Sequence, residues 1–179
     1  MSFDVSGNAY DRFMGRYARE LASAFADFVG VHEGKVVDVG CGSGILTEEL
    51  ARRVGADNVA AADPSPLLET CRERVPEADV RPGTAEELPW PDDSFDAALG
   101  RSAGLGEVEA APLDVSIRYE SFSQLWSTFE LGAGPAGEFC ASLPVADRET
   151  VRDEYQRRLS NPAGSFDLPA QAWVLRGSV

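Results

Sequence analysis

Three glycines at alternate positions, Gly40, Gly42 and Gly44, form the part of this sequence best suited to bind a ligand. They follow an apolar run that is typical of a buried strand and contains one acid, Asp38. Glycine tolerates positive φ angles and lets a ligand approach the main chain closely. The segment that begins at Ile45 has the pattern of a helix, whose N-terminal N–H groups would point back at the loop. We therefore predict a strand, a tight loop and a helix that hold a nucleoside-bearing ligand.

A second acid and a third element extend this candidate site. Asp63 ends another short apolar run, where its carboxylate can accept hydrogen bonds from two ribose hydroxyls. Residues 83–96 follow a short third strand and complete the set. The loop has the spacing Gly-x-Gly-x-Gly, which differs from the Gly-x-Gly-x-x-Gly that cradles the pyrophosphate of a dinucleotide. The competing interpretation is that Asp38 and Asp63 only cap the ends of their strands.

The composition argues against several classes of function. Thirty acidic and sixteen basic residues give a formal charge of −14, which disfavours nucleic acids and anionic membrane surfaces as partners. A single histidine, His32, argues against Ser-His-Asp and Cys-His catalysis. Three scattered cysteines (Cys41, Cys71 and Cys140) do not make a disulfide framework or a zinc site, and we predict no metal.

The N-terminal residues and the lengths of the apolar stretches predict the cellular compartment of the protein. The N-terminal residues lack the basic and apolar segments of a signal peptide. No apolar stretch approaches the roughly 18 residues that a membrane span needs. We expect a cytoplasmic protein.

The first hundred residues alternate between helix and strand patterns, which is typical of a parallel α/β sheet. Apolar residues with helical spacing begin at residue 8 and end at residue 29. The remaining predicted elements are strands at 36–39, 59–63, 79–81 and 95–99, helices at 45–54 and 66–75, and a helical turn at 84–88.

The pattern changes after Gly100. Two segments with strand composition follow, and Pro112 interrupts them. The other predicted elements of this half are helices at 121–131 and 147–159, a flexible glycine-rich loop at 131–137 and a closing strand at 170–176.

Taken together, the glycine loop, Asp63 and residues 83–96 resemble the cofactor-binding half of the class I S-adenosylmethionine-dependent methyltransferases. The resemblance covers residues 8 to about 100 and is strongest to the small-molecule group related to ubiquinone-biosynthesis methyltransferases. It implies an α/β fold with a Rossmann-like parallel sheet flanked by helices, here shortened and with an antiparallel C-terminal strand. It also implies one methyltransferase-like domain over residues 1–179, with a cofactor-binding half at 8–100 and a shortened half at 101–179.

The resemblance assigns roles to the residues around the loop. Asp38 would hold the amino group of S-adenosylmethionine, directly or through water, and Asp63 would accept the ribose hydroxyls. The amphipathic N-terminal helix would close over the ligand, with Arg16 pairing with the methionine carboxylate. The full set of cofactor-binding residues implied is Asp38, Gly40, Cys41, Gly42, Gly44, Asp63, Pro64, Ser65, Thr84, Ala85, Glu86, Tyr10 and Arg16.

Some of these roles have open alternatives. Many relatives have an aspartate at the position of Thr84, so its contribution is weaker here. Glu86 can equally be a solvated helix acid, and Tyr10 can pack in the core. The resemblance identifies no catalytic residue and no acceptor.

The sequence departs from the family after the fourth strand. Only residues 100–106 separate this strand from Glu107, which resembles the start of the family's sixth strand. A parallel crossover needs roughly a dozen residues or more, so a helix–strand–helix block is missing. The later strands can dock beside the fourth strand, a partner chain can cover the gap as a homodimer, or a deletion has left a marginal protein. The missing block normally forms part of the acceptor pocket.

Three hypotheses of function remain at this point. The first is a methyltransferase that uses S-adenosylmethionine on a small molecule. The second is a degenerate relative that binds S-adenosylmethionine or S-adenosylhomocysteine without turnover. The third, a nicotinamide dehydrogenase, is disfavoured by the glycine spacing and by residues 83–96.

Overall fold

Four short strands form a parallel sheet in the computed structural model, which describes residues 7–100, 106–132 and 134–178. The strands are β1 (Val36–Val39), β2 (Val59–Ala62), β3 (Asp79–Arg81) and β4 (Ala97–Gly100). Their order across the sheet is β3-β2-β1-β4. The chain therefore builds outward from β1 on one side and returns to add β4 on the other. This order creates a topological switch point between β1 and β4, and open α/β sheets bind ligands at the carboxyl ends of their strands there.

Helices connect and cover these strands. They are α1 (Gly7–Val29), α2 (Ile45–Val54) and α3 (Leu68–Arg74), with a short 3-10 turn at Ala56–Asn58. β1 and β2 have buried residues on both faces because helices cover the sheet, as in other parallel sheets. The main cluster of buried apolar side chains joins α1, α2 and the sheet and consists of Ala26, Val31, Val36, Leu50, Val59 and Leu99.

One arginine fixes α2, the helix that follows the glycine loop, against α1. The side chain of Arg53 is only 10% exposed and pairs with Glu49 on its own helix and with Asp27 on α1, each at 2.7 Å. It also donates to the carbonyl oxygen of Ser23 at 3.0 Å. Hydrogen bonds from Arg52 and Arg53 lower the pKa of Glu49 to about 2. The mostly buried guanidinium thus has both charge partners and a carbonyl to satisfy it.

The second half of the chain contains a separate two-stranded sheet and three helices. Its elements are β5 (Gly106–Tyr119), α4 (Phe122–Glu130), α5 (Gly134–Ser142), α6 (Val145–Arg158) and β6 (Phe166–Ser178). Near the start of β5, Glu109 pairs with Arg176 at the end of β6. At the other end, Tyr119 stacks on Phe166. The two strands therefore run antiparallel.

The chain divides into two compact units. One, the sheet unit, consists of Ala18–Leu113 and the segment from Gln171 onward. The other, the helical unit, consists of the described residues up to Tyr17 and of Asp114–Ala170. The core of the helical unit is aromatic: Trp126 packs between Phe122 and Phe129, and Tyr155 contacts both phenylalanine rings. That the chain acts as one methyltransferase-like domain stays a prediction.

Most of the predicted elements of the sheet unit are confirmed within one to three residues. The helical turn predicted at residues 84–88 is wrong. Thr84 and Glu87 exchange two backbone hydrogen bonds of 3.3 and 3.2 Å, which close a tight turn in place of a helix. A Cβ on Gly83 would lie 2.8 Å from Cδ of Pro89, so the segment folds back on itself too closely to continue as a helix.

Two predictions for the second half are also wrong, and one of the alternatives left open for its strands is excluded. Pro112 does not interrupt a strand, because each strand of a two-stranded sheet is an edge strand and can lose one N–H donor. Residues 134–142, predicted in part as a flexible loop, form α5, with Pro135 in the first turn where its missing N–H costs nothing. The later strands do not dock beside β4, since β5 pairs with β6 in its own sheet.

The crossover after β4 is missing, as predicted. β4 ends at Gly100 and β5 begins at Gly106. The interval of residues 101–105 lies outside the described residues, and it is shorter than any parallel crossover. β4 therefore forms an edge of the described sheet, next to the switch point.

Candidate cofactor site

The glycine loop is held tightly against the end of β2. The backbone N–H groups of Gly40 and Cys41 both donate to the carbonyl oxygen of Ala62, at 2.7 and 3.1 Å. Gly40, Gly42 and Gly44 have φ angles of 81°, 54° and 82°, in the left-handed region that favours glycine. The loop thus has a defined shape at the carboxyl end of the sheet.

Asp63 clamps this loop to the turn that precedes α3. One carboxylate oxygen accepts a hydrogen bond from the N–H of Gly42 at 2.9 Å, and the other accepts from the N–H of Ser65 at 2.7 Å. The Asp63 residue is 8% exposed. Each carboxylate oxygen has a second lone pair, so the group can still accept hydrogen bonds from a ligand. Asp63 is therefore more than a strand-end cap, because it joins two loops across the site.

Asp38 lies deeper and faces α2. The hydroxyl of Thr47 donates to its carboxylate at 2.7 Å, and the backbone N–H of Thr47 donates as well. Burial raises the pKa of Asp38 to about 6, the hydrogen bonds from Thr47 oppose this, and the negative charge of Asp63 adds to it. Asp38 is only 3% exposed. It positions the first turn of α2, and its predicted contact with an amino group stays a prediction.

The loop has one packed side and one open side. A Cβ on Gly44 would lie 2.7 Å from Sγ and 3.0 Å from Cα of Cys71, so α3 packs directly on this residue. A Cβ on Gly40 or Gly42 would meet no atom within 4 Å. The backbone at these two positions therefore borders open space, into which a ligand can be placed against the main chain.

The loop after β3 contributes the third part of the predicted site. Thr84, Ala85 and Glu86 are exposed on the tight turn at the carboxyl end of β3. The base of this turn is fixed by Asp79, which binds Arg81 through both carboxylate oxygens and accepts from Nε1 of Trp90 at 2.8 Å.

The structure brings most of the predicted residues to one edge of the sheet. The glycine loop with Cys41, Asp63 and Ser65 forms one hydrogen-bonded assembly. Pro64 is exposed on the same turn as Ser65. The side chains of Tyr10 and Arg16, on α1, lie outside the described part of the structure.

The sheet unit also contains a cavity of about 380 Å³ elsewhere, lined by side chains of α1 and α2: Arg19, Ala22, Ile45, Glu48, Glu49 and Arg52. None of the predicted cofactor residues lines this cavity.

Sequence reasoning missed two residues that support the loop, Thr47 and Cys71. Thr47 is fully buried beneath the loop and holds Asp38, and Cys71 is fully buried against Gly44. A signal for Thr47 was present: it lies three residues before the buried Leu50, on the same face of α2. No comparable signal marked Cys71, because its role depends on how α3 packs on the loop.

Comparison with known proteins agrees with this geometry. Residues 36–118 match the family model described as a methyltransferase domain. This match begins at β1 and includes the glycine loop, Asp63 and the turn after β3. This part of the chain resembles the class I S-adenosylmethionine-dependent methyltransferases. The cofactor that this family uses is S-adenosylmethionine.

Individual relatives of this methyltransferase domain match a similar region. An uncharacterised methyltransferase of Mycobacterium tuberculosis is 38% identical over 100 residues, or 55% of this chain and 39% of the relative. The malonyl-[acyl-carrier protein] O-methyltransferase of Halorhodospira halophila is 36% identical over 110 residues, or 57% of this chain and 37% of the relative. The ubiquinone biosynthesis O-methyltransferase of Azorhizobium caulinodans is 43% identical over 70 residues, or 36% of this chain and 27% of the relative.

The chain aligns with only part of each of these relatives, because the aligned region spans 39% or less of the relative's length. Within the described residues, no helix combines the length and the apolar composition needed to cross a bilayer.

Proposed function

We propose that this chain binds S-adenosylmethionine at the glycine loop and transfers its methyl group to a small-molecule acceptor. The observation that carries the proposal is the pair of buried carboxylates, Asp38 and Asp63, on either side of a loop whose backbone borders open space. The loop lies at the carboxyl end of β1, beside the switch point of the sheet.

The charge of this pair fits a cationic ligand. The pKa of Asp38 is raised first by burial and further by the charge of Asp63. Two carboxylates buried close together are stabilised when a cation approaches. S-adenosylmethionine carries a positive sulfur and a positive amino group, so it supplies the charge that this arrangement favours.

The residues of the site have distinct proposed roles. Asp63 would accept the ribose hydroxyls through the lone pairs that Gly42 and Ser65 leave free. Asp38 would stabilise the amino group, and the exposed turn with Ala85 would border the adenine ring.

The remaining proposed contacts lie around these groups. Pro64 would line the adenine, Thr84 and Glu86 would contact its edge, and Tyr10 and Arg16 on α1 would close over the methionine part.

The bound cofactor would supply an activated methyl group, because the positive sulfur is a good leaving group. The contribution of the chain is then to place the acceptor in line with that methyl group and to exclude water. For an oxygen acceptor a general base accelerates the step, and we assign that role to no residue. Two relatives are named O-methyltransferases, which makes a small molecule with a hydroxyl or carboxyl group the first acceptor class to test.

Calorimetric titration with S-adenosylmethionine tests the binding step. We expect Asp63→Asn to lower the affinity at least about tenfold, because it loses the charge and one acceptor oxygen. Asp96→Asn is the matched control, because Asp96 also accepts one backbone N–H bond, from Lys35 at 2.8 Å, but lies at the amino end of β4. Equal affinity of both variants, with folding verified by circular dichroism, would contradict the proposal.

A transfer assay separates the enzyme from the degenerate binding protein. The chain is incubated with S-adenosylmethionine labelled in its methyl group and with small phenols, hydroquinones and carboxylic acids. Label in an acceptor supports the methyltransferase. Binding without transfer to any acceptor of the panel favours a binding protein.

The proposed homodimer needs its own measurement, since a second copy would cover the edge of the sheet next to β4. Sedimentation velocity at several concentrations should show a dimer, and a monomer throughout would contradict this part.

A further inference from the structure

Two cysteines share a buried cluster where α3 packs on the glycine loop. Cys41 lies in the loop and Cys71 lies in α3, and both are buried in a small cluster with Ala61 and Leu68. Both are free thiols. They are 30 positions apart in sequence, so this contact exists only because α3 packs on the loop.

Both cysteines contact residues that shape the glycine loop. The carbonyl oxygen of Cys41 accepts the N–H of Gly44 at 2.9 Å. Sγ of Cys71 occupies the space beside Gly44 and lies 3.6 Å from the hydroxyl of Thr47, which in turn holds Asp38.

Exposure separates the two thiols. Cys41 is 9% exposed and Cys71 is fully buried, so a small oxidant reaches the pair from the side of Cys41. Once Cys41 is oxidised to a sulfenic acid, its neighbour Cys71 is placed to complete a disulfide.

We propose that Cys41 and Cys71 form a reversible disulfide in the presence of hydrogen peroxide, and that this bond closes the glycine loop to the cofactor. In the first step the sulfur of Cys41 attacks the peroxide, the O–O bond breaks, and a sulfenic acid and one water form. In the second step the sulfur of Cys71 attacks the sulfenic sulfur and displaces the hydroxyl group as a second water. Two thiols lose two protons and two electrons, and one peroxide becomes two waters.

The disulfide would change the shape of the loop. An S–S bond of about 2.05 Å is much shorter than the contact between two packed thiols, so Cys41 must move toward α3. The N–H of Cys41 donates to Ala62 and that of Gly42 donates to Asp63, so this movement strains both bonds. The effect on binding rests on the proposed cofactor site, whereas disulfide formation does not. A bound cofactor would in turn hold the loop in its reduced shape and slow the oxidation.

Mass spectrometry after peroxide treatment of the reduced chain tests disulfide formation. Free thiols are alkylated, the chain is digested, and the expected product is a peptide pair that joins Cys41 to Cys71 and is separated by dithiothreitol. Cys140, which is buried among aromatic side chains of the helical unit, should remain alkylatable. Cys71→Ser should abolish the product and Cys140→Ser should leave it unchanged, with Cys41→Ser as a second test if Cys71→Ser does not fold. Failure to form this disulfide, or a disulfide that involves Cys140, would overturn the proposal.

Calorimetry with S-adenosylmethionine tests the closure. The oxidised chain should bind at least tenfold more weakly than the reduced chain, and Cys71→Ser should bind equally before and after peroxide. Equal binding by oxidised and reduced chains would overturn the closure. Absence of binding by the reduced chain, with the disulfide formed, would instead contradict the proposed function and leave the redox site standing.

Discussion

The two units differ in how many polar side chains they bury. Among the described side chains, the buried polar ones are Asp38, Ser43, Thr47, Asp63 and Thr128. Four of them lie at the glycine loop of the sheet unit. Ser43 is part of the loop, Asp63 accepts a hydrogen bond from it, and Asp38 and Thr47 are hydrogen-bonded to each other next to it. Thr128, in the helical unit, donates to the carbonyl oxygen of Leu125 within its own helix at 2.7 Å. The sheet unit buries two carboxylates, while the core of the helical unit is aromatic.

This difference predicts that the two units contribute differently to ligand binding and to stability. Burying a charge or a polar group is costly unless it has partners, so a fold concentrates such groups where they serve a ligand. An aromatic core has no such cost and stabilises through packing. We therefore expect changes in the helical unit to act on stability alone, and changes around the glycine loop to act also on ligand binding and on the response to pH.

The largest expected effect is in the aromatic core. Trp126 is 4% exposed and packs against Phe122 and Phe129. Trp126→Ala should lower the free energy of unfolding by about 3–5 kcal/mol, because it removes a large buried ring and leaves a cavity. Urea denaturation measures this. Ser127→Ala, at an exposed neighbour on the same helix, should change stability by less than about 0.5 kcal/mol. Similar losses of stability in both variants would contradict the proposed difference between the two units.

A smaller loss is expected for Gly44→Ala. The new methyl group would combine a φ of +82° with close contacts to Sγ and Cα of Cys71, and the backbone of α3 cannot yield cheaply. We expect a loss of about 2–4 kcal/mol, from backbone strain and overpacking together. Gly164→Ala, where a Cβ meets no atom within 4 Å and φ is not positive, should be nearly neutral in the same denaturation experiment. A neutral Gly44→Ala would show that α3 does not pack on the loop.

Asp38 should make stability depend on pH. Its pKa is raised from 3.8 to about 6, so between these values the folded chain keeps a proton that the unfolded chain has released. This contribution is complete below pH 4 and is lost as the pH rises through 6, by roughly 2–3 kcal/mol. Affinity for a cationic cofactor should change in the opposite direction and rise over the same range, because the cation favours ionised Asp38.

Unfolding free energies measured from pH 4 to pH 7.5 test this dependence. The decline should disappear in Asp38→Asn and persist in Asp147→Asn, which changes an exposed acid of α6. Parallel curves for the original chain and Asp38→Asn would refute the assignment.

The smallest effect expected is that of Thr47→Val. It removes the hydroxyl that donates to Asp38 at 2.7 Å while keeping the shape of the side chain. We expect a loss of about 1–2 kcal/mol at pH 7, because the carboxylate loses a buried donor, and an upward shift in the pH range of the Asp38 effect. Thr150→Val, at an exposed position of α6, controls for the change in helix propensity. A pH range that does not move would show that Thr47 is not the relevant donor.

The sequence was informative where local pattern decides the structure. β1, α2 and the positions of the three loop glycines follow from apolar runs and from the need for positive φ. The turn at Thr84 and Glu87 could not be predicted, because it depends on Pro89 packing against Gly83. α5 was missed because glycine and proline suggest a loop, although proline is tolerated in a first helical turn.

The candidate site was predictable in its residue types but not in its contacts. The acids at the strand ends were recognised, yet their hydrogen bonds to Gly42, Ser65 and Thr47 depend on how three loops and helices meet. The same is true of the thiol pair Cys41 and Cys71, which only the packing of α3 brings together.

The central claim, that the open side of the glycine loop holds the cofactor, is tested most directly by two glycines. Gly40 and Gly30 have φ angles of +81° and +79°, and a Cβ at either would meet no atom within 4 Å. Gly40→Ala and Gly30→Ala should therefore cost similar stability, about 1–2 kcal/mol of backbone strain. Calorimetric titration with S-adenosylmethionine should show at least tenfold weaker binding for Gly40→Ala and unchanged binding for Gly30→Ala. Equal binding by the two variants would contradict the account.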